Sequence, residues 1–405
     1  SASVEALELS IKDAEQVAIQ NDPLIVKYQA KASAYMEEAV AVNRWPDPKL
    51  RFGAANIPID SFSLSKENMT QLIVGIQQAI PPSGLLGEKE EQKQIQAEME
   101  RAKAMSRALE VLRGLRKSWM EVYYYDQALI LVQESKDTFD QLVNITQYQY
   151  RAGRGQQQDV IRAQLELSLL TDKEFLLQQQ KESAIAELEK WTGASVRKHT
   201  LSQSFPELPV LPDVEEIMAN VDFHPSIAVK KAGLGIARKD VAIVKQTYKP
   251  TWMLDLSYGL RQDGTNMVDG SSVSRSDFIS AVVSLDLPFF TEKRQDKRLN
   301  AKGHEVNAAS DAVEAQRREL TRIFESAYAN WVRLGERMDY YEKTVLPQAA
   351  QFAEASRKSY QSRVSDFSEL VRARLRQLDS NLQALRLRVE RAKAHYDLQY
   401  IAGEQ

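Results

Sequence analysis

Two apolar periodicities alternate along this chain. Over residues 88–150 and 156–191 apolar positions recur at helical spacing among Glu, Gln, Lys, Ala and Leu, and no proline stands between Pro82 and Pro206. A proline costs a helix interior about 3 kcal/mol, so its absence permits very long helices. RAGRG at 151–155 is the only turn chemistry between the two runs, which predicts an antiparallel helical hairpin. The pattern returns over 292–360, where Pro347 predicts a kink or short break. A turn at QSRVS, 361–365, then leads to a last helix over 366–401, and shorter helices are expected over 11–43 and 214–246.

Between these runs the period falls to two. Trp252, Leu254, Leu256, Tyr258 and Leu260 alternate with Met253, Asp255, Ser257, Gly259 and Arg261. Ile279, Ala281, Val283, Leu285 and Leu287 stand opposite Ser280, Ser284 and Asp286. Leu50, Phe52 and Ala54, then Leu72, Val74 and Ile76, repeat the alternation more weakly. Strands are therefore expected at 49–57, 70–80, 251–262 and 277–288. Each is roughly the 9 to 11 residues that a tilted strand needs to cross a bilayer.

The two halves read as copies. NDPLIVKYQAKA from Asn21 resembles FHPSIAVKKAGL from Phe223, and Pro48 matches Pro250 at the same offset. Around the turns YRAGRGQQQDVIRAQ aligns with YQSRVSDFSELVRAR, pairing Tyr150 with Tyr360, Asp159 with Glu369 and Arg162 with Arg372. Two repeats, 1–200 and 201–405, follow, each ordered helix, two strands, long helix, tip, helix.

Composition narrows the chemistry. A net charge of −3 gives no reason to expect a nucleic-acid partner. The absence of cysteine removes thiolate metal sites, disulfides and cysteine catalysis. His199, His224, His304 and His395 lie at no i, i+3 or i+4 spacing, and Met69, Met253 and Met267 are scattered over separate segments, so both sets read as structural rather than as metal ligands. No nucleophile elbow, phosphate loop or metalloprotease signature occurs; no enzyme activity and no cofactor are expected. No run of 18 apolar residues exists, which excludes a spanning helix and leaves a barrel open. Ser1 opens without a basic and apolar leader, as in a cytoplasmic chain or a processed one.

Four strands do not close a membrane barrel, since single-chain barrels begin at about eight, so the chain must oligomerise if the strands span. WPDPKLRFGAANIPID, FSLSKENMTQLIVGIQQAIPPSG and the tip pair YRAGRGQQQDV and YQSRVSDFSELV resemble the TolC-like outer-membrane factors, with the PDPKL and GIQQ words most like the heavy-metal efflux branch. The resemblance covers nearly the whole chain. It implies an α+β membrane protein, mainly α, whose long helical hairpins form a periplasmic tunnel and whose four strands join those of two other copies in a 12-stranded outer-membrane barrel. It further implies a homotrimer in outer-membrane lipid, working with a periplasmic membrane-fusion adaptor and an inner-membrane resistance-nodulation-division pump. A multidrug or type I secretion duct shares the same fold.

Three groups of residues carry the expected function. Trp252, Leu254, Leu256, Tyr258, Ile279, Val283 and Leu285 face lipid. Gly153, Arg154 and Gly155, with Arg363, Val364 and Ser365, are tip residues that meet the adaptor. Asp159, Arg162, Glu369 and Arg372, with Tyr150 and Tyr360 as hydroxyl donors, form a gate that draws helices together, a carboxylate ring of mixed charge once repeated by symmetry. The competing reading of these charges is a solvated surface, and that of the whole chain a soluble coiled-coil scaffold. Four strands at symmetric positions weigh against the scaffold.

Overall fold

The computed structural model describes residues 8–193, 196–266 and 268–403; Ser1 and Met267 lie outside them. The elements run β1 (Glu8–Leu9), α1 (Ile11–Asn21), α2 (Pro23–Val42), β2 (Lys49–Ala55), β3 (Gln71–Ile80), α3 (Leu85–Arg151), α4 (Gln157–Thr192), β4 (Thr200–Leu201) and α5 (Val214–Asn220). Then follow α6 (Pro225–Gln246), β5 (Thr251–Leu260), β6 (Gly264–Thr265), β7 (Ser272–Val273), β8 (Phe278–Asp286), α7 (Gln295–Tyr340), α8 (Leu346–Gln361) and α9 (Phe367–Ala402). Short 3₁₀ turns precede β4 and α6. No helix among the described residues is long and apolar enough to cross a membrane.

The single helix expected over 11–43 is two, and so is that over 214–246. In each case the residue before a proline cannot easily hold α geometry, and the proline restarts the helix where its missing N–H costs nothing. The residue ahead of each proline then caps the restart. Asp22 Oδ1 accepts from the Leu24 and Ile25 N–H groups at 3.0 Å, and His224 Nδ1 accepts from the Ser226 N–H at 3.2 Å. Both caps are buried, Asp22 against the Arg107 guanidinium at 3.0 Å and His224 with Nε2 donating to the Tyr400 carbonyl at 3.0 Å. Pro347 acts one turn earlier than its own position. Residues Tyr341–Val345 form a π turn, with the Leu346 N–H reaching the Tyr341 carbonyl, because proline has no N–H to continue the i→i−4 ladder.

The chain divides into two compact units, each drawing on both halves of the sequence. The first holds the stretch ending at Tyr28, Ala102–Ala228 and the stretch from Ala315 onward. Its core has Phe139, Leu142 and Val143 of α3, Leu170 and Leu177 of α4, and Phe367, Leu370, Val371 and Leu378 of α9. A second cluster sets Ala14 and Ala18 of α1 against Leu115, Trp119 and Val122 of α3 and Leu188 of α4. The segment 204–213 straps onto this unit: Phe205 packs edge-on against Tyr123 at 5.5 Å, and His395 Nε2 donates to the Pro209 carbonyl at 2.7 Å.

The second unit, Gln29–Arg101 with Val229–Glu314, holds one antiparallel four-stranded sheet in the order β2-β3-β5-β8 and the helix ends that enter it. Those helix ends are tied by charge: Lys93 to Glu38 at 2.5 Å, Lys239 to Glu88 at 2.9 Å and Lys302 to Asp240 at 3.0 Å. The strands end one or two residues short of several expected limits. At 261 and 277 the chain leaves the ladder because Asp277 accepts the Arg261 N–H through its side chain, at 2.8 Å. The long loop beyond adds a small β6–β7 hairpin, unforeseen because Gly264 and Thr265 carry no alternation.

Candidate functional site

Two surfaces carry the candidate residues, the helical tips of the first unit and the sheet of the second. At the first tip α3 ends in a Schellman turn. The Arg154 N–H donates to the Gln149 carbonyl at 2.8 Å and the Gly153 N–H to the Tyr150 carbonyl at 2.9 Å. Gly153 takes the left-handed position, φ +68°, and a Cβ there would meet nothing within 4 Å. Gly155 is needed for a different reason: a Cβ would lie 3.0 Å from Gln149 Cβ and 3.2 Å from Tyr150 N. The second tip repeats the turn, Val364 N–H to Ser359 carbonyl at 2.9 Å and Arg363 N–H to Tyr360 carbonyl at 3.0 Å. Here the left-handed position belongs to Arg363, φ +60°. Arg363 and Val364 are exposed, Val364 at 80%.

Just past the tips the expected gate residues separate into two sets. Arg162 donates to Ser368 Oγ and so links α4 to α9; Tyr360 OH donates to Gln149 Oε1 at 2.9 Å and links α8 to α3. Asp159 lies among them, its carboxyl held above the usual range by burial, against the opposing Arg162 charge and with a further push from Asp366. Tyr360 is likewise raised by burial and by Asp159. Glu369 and Arg372 instead pair with each other on α9 at 2.7 Å, and Tyr150 is exposed. Three partners were missed from sequence: Gln149, Ser368 and Asp366. Asp366 was readable, since an aspartate followed three residues on by glutamate before an apolar run is a helix N-cap; its Oδ1 accepts the Glu369 N–H at 3.0 Å.

The sheet keeps one face apolar. Trp252, Leu254, Leu256 and Tyr258 of β5 sit opposite Leu285, Val283, Ala281 and Ile279 of β8, so the seven named residues share that face, and all are at least 40% exposed. The other face carries Gln77, Asp255, Ser257, Ser280 and Ser284, with Ile73, Ala79, Met253, Val282 and Phe278 as apolar exceptions. There Arg51 of β2 spans β3 to reach the buried Asp255 of β5 at 2.9 Å. The outward edges of β2 and β8 have no ladder partner among the described residues.

Long paired helices together with a short sheet, apolar on one face and open at both edges, define the protomer of an outer-membrane channel. The chain belongs to the outer membrane efflux protein family, which it matches over residues 15–194 and 222–404. Its fold is that of several solved membrane proteins. A membrane protein from Pseudomonas aeruginosa is 15% identical, with a TM-score of 0.82 over 98% of this chain and 91% of that one. CusC, solved in work on transmembrane channel formation, is 13% identical, with a TM-score of 0.81 over 100% of this chain and 95% of that one. The Campylobacter jejuni outer membrane channel CmeC is 12% identical, with a TM-score of 0.80 over 97% and 85%. No curated protein matches the chain in sequence. Members of the family are transport channels rather than enzymes, and they work as homotrimers with adaptor and inner-membrane pump partners.

Proposed function

We propose that this protein is the outer-membrane exit duct of a tripartite resistance-nodulation-division pump, a homotrimer whose cargo is heavy-metal cations. The observation that carries the duct is the sheet. Its open β2 and β8 edges would leave rows of backbone N–H and C=O groups unpaired in lipid, at several kcal/mol each, unless β2 of one copy pairs with β8 of the next. Three copies of four strands then close a 12-stranded barrel, with the apolar face toward lipid and the Arg51–Asp255 pair toward water. The cargo rests on the PDPKL word that leads into β2 and the GIQQ word of β3, and the alternative is a multidrug or type I secretion duct of the same fold. The tandem halves, 1–200 and 201–405, are read as an internal duplication. It is supported by the equivalent helix restarts at Pro23 and Pro225 and the equivalent Schellman turns at Gly153 and Arg363. Gly153, Arg154, Gly155, Arg363, Val364 and Ser365 are the adaptor-facing residues of this reading.

The test has two arms. The detergent-solubilised protein should have the mass of a trimer by light scattering, and Leu256→Arg should impair assembly by about 2 to 4 kcal/mol while Ser257→Arg is tolerated in the wet interior. A monomer or even-numbered assembly, or equal damage from both substitutions, would sink the barrel. Cells lacking the protein should become sensitive to metal salts; sensitivity to drugs alone would assign the duct to the multidrug class.

A further inference from the structure

The sheet is chemically lopsided along its strands. At one end β2, β3, β5 and β8 meet their helices, and the register brings Lys49, Ile80, Thr251 and Asp286 to that end together. The segments there, 44–49, 81–87, 245–251 and 286–298, carry eight Lys or Arg against four Asp or Glu. The loops at the other end, 56–70 and 261–277, carry three against five. Ion pairing does not absorb the excess. Arg44, Lys49, Lys249, Lys293, Arg294 and Lys297 are all exposed, and none is paired with a carboxylate among the described residues, although helix positions a few residues away are laced with such pairs.

A cleft of about 420 Å³ opens at this basic end. Trp45, Ile80, Pro81, Pro82, Leu86 and Trp252 make most of its wall. Trp252 is the last residue of the apolar face at this end, so the cleft continues the lipid-facing surface, and both tryptophans are about half exposed, at 60% and 46%. Lys249 stands at its rim, its ammonium donating to the carbonyl of Ser83, a lining residue, at 2.7 Å. That single bond leaves two of its three donors for another acceptor.

We propose that this cleft is a binding site for an anionic phospholipid of the periplasm-facing leaflet, with an acyl chain between Trp45 and Trp252 and the headgroup phosphate at Lys249. The proposal rests on the lipid-facing reading of the sheet. An amphipathic indole pair beside unpaired cations suits the boundary between acyl chains and charged headgroups. An acidic peptide would use the cations but would leave the apolar cleft continuous with bare lipid-facing surface. A neutral lipid would use the cleft and ignore the charge.

The experiment is native mass spectrometry of the full-length, detergent-solubilised protein given equal phosphatidylglycerol and phosphatidylcholine of the same acyl chains. Wild type should retain phosphatidylglycerol with a preference of about fivefold or more, the factor a single cation contributes at an anionic surface. Lys249→Gln should remove most of that preference, Trp45→Ala should lower retention of the lipid, and Lys66→Gln, at the opposite end of the sheet, should change neither. Equal retention of the two lipids by wild type overturns the proposal. So does a preference untouched by Lys249→Gln and Trp45→Ala, or one abolished by soluble glycerol phosphate. Reconstitution into vesicles of either lipid separates the two readings. A wild type that fails to insert into both refutes the lipid-facing sheet itself, whereas insertion without preference refutes only the lipid site.

Discussion

The two tips offer an internal control that few proteins contain. Gly153 and Arg363 occupy the same position of the same turn, with φ of +68° and +60°, and neither position is crowded: the space around a Cβ at 153 is empty and Arg363 is exposed. Exchanging their side chains therefore changes backbone preference and little else. A non-glycine residue in the left-handed region costs roughly 1 to 2 kcal/mol. Glycine loses about 0.5 to 1 kcal/mol more conformational entropy on folding than a residue with a side chain. Arg363→Gly should thus stabilise the second tip by about 0.5 to 1 kcal/mol net, and Gly153→Arg should destabilise the first by a similar amount. The quantity to measure is local opening, by native-state hydrogen exchange of the Arg154 and Val364 amides that close the two turns. Protection at Val364 should rise about twofold to fivefold in the first variant, and protection at Arg154 should fall as much in the second. If both substitutions lower protection, side-chain contacts rather than the dihedral hold the tips, and the argument fails.

Two further outcomes follow from the structure. In planar bilayers the wild-type channel should conduct poorly, and Arg162→Ala combined with Tyr360→Phe should conduct markedly more, because these residues make the links between α4 and α9 and between α8 and α3; unchanged conductance would reduce them to structural contacts. Glu369→Ala with Arg372→Ala should have the smaller effect, since that pair is exposed and lies on one helix, where such pairs contribute about 0.2 to 1 kcal/mol. Thermal stability should fall as pH drops below about 6.5. His224 and His395 are both held neutral by burial, and His395 further by the Arg116 and Arg391 charges, so their folded pKa values lie below the unfolded ones and the unfolded chain takes up protons first. Replacing both by Gln should flatten the decline; an unaltered slope would place the titration elsewhere.

What the sequence revealed was what local rules govern. Period-two alternation located four strands and assigned their faces, because each pleat reports its own environment. Pro347 located its own helix break, but the breaks at Pro23 and Pro225 were read through as continuous helix, and the buried partners of their caps, Arg107 for Asp22 and Tyr400 for His224, lie 85 and 176 residues away. The left-handed arginine at 363 is invisible to composition and legible only through alignment with Gly153. The contacts of the proposed gate residues were half legible: the charges could be chosen from the matched turns, yet the Tyr360–Gln149 bond joins residues 211 apart and Arg162–Ser368 joins residues 206 apart. Which charges would face a neighbouring helix and which would pair along their own was set by rotation about each helix axis, a quantity that spacing alone leaves free.

The central ladder of the sheet has a consequence for how the protein is made. β2 and β3 are joined by residues 56–70 and β5 and β8 by residues 261–277, but the β3–β5 seam pairs Ile80 with Trp252 across most of half the chain. Closing that span costs a flexible chain about 2 kcal/mol more than closing either hairpin. Two hairpins should therefore exist before one sheet does, and the seam cannot form until ribosome and translocase have delivered the strand that begins at Thr251. Until the seam closes, each hairpin presents two raw edges in a crowded compartment. A chaperone that shields β-strand edges during transit would act on this interval, and a mutation that weakens only the seam would betray itself as lost yield with normal stability in the molecules that survive.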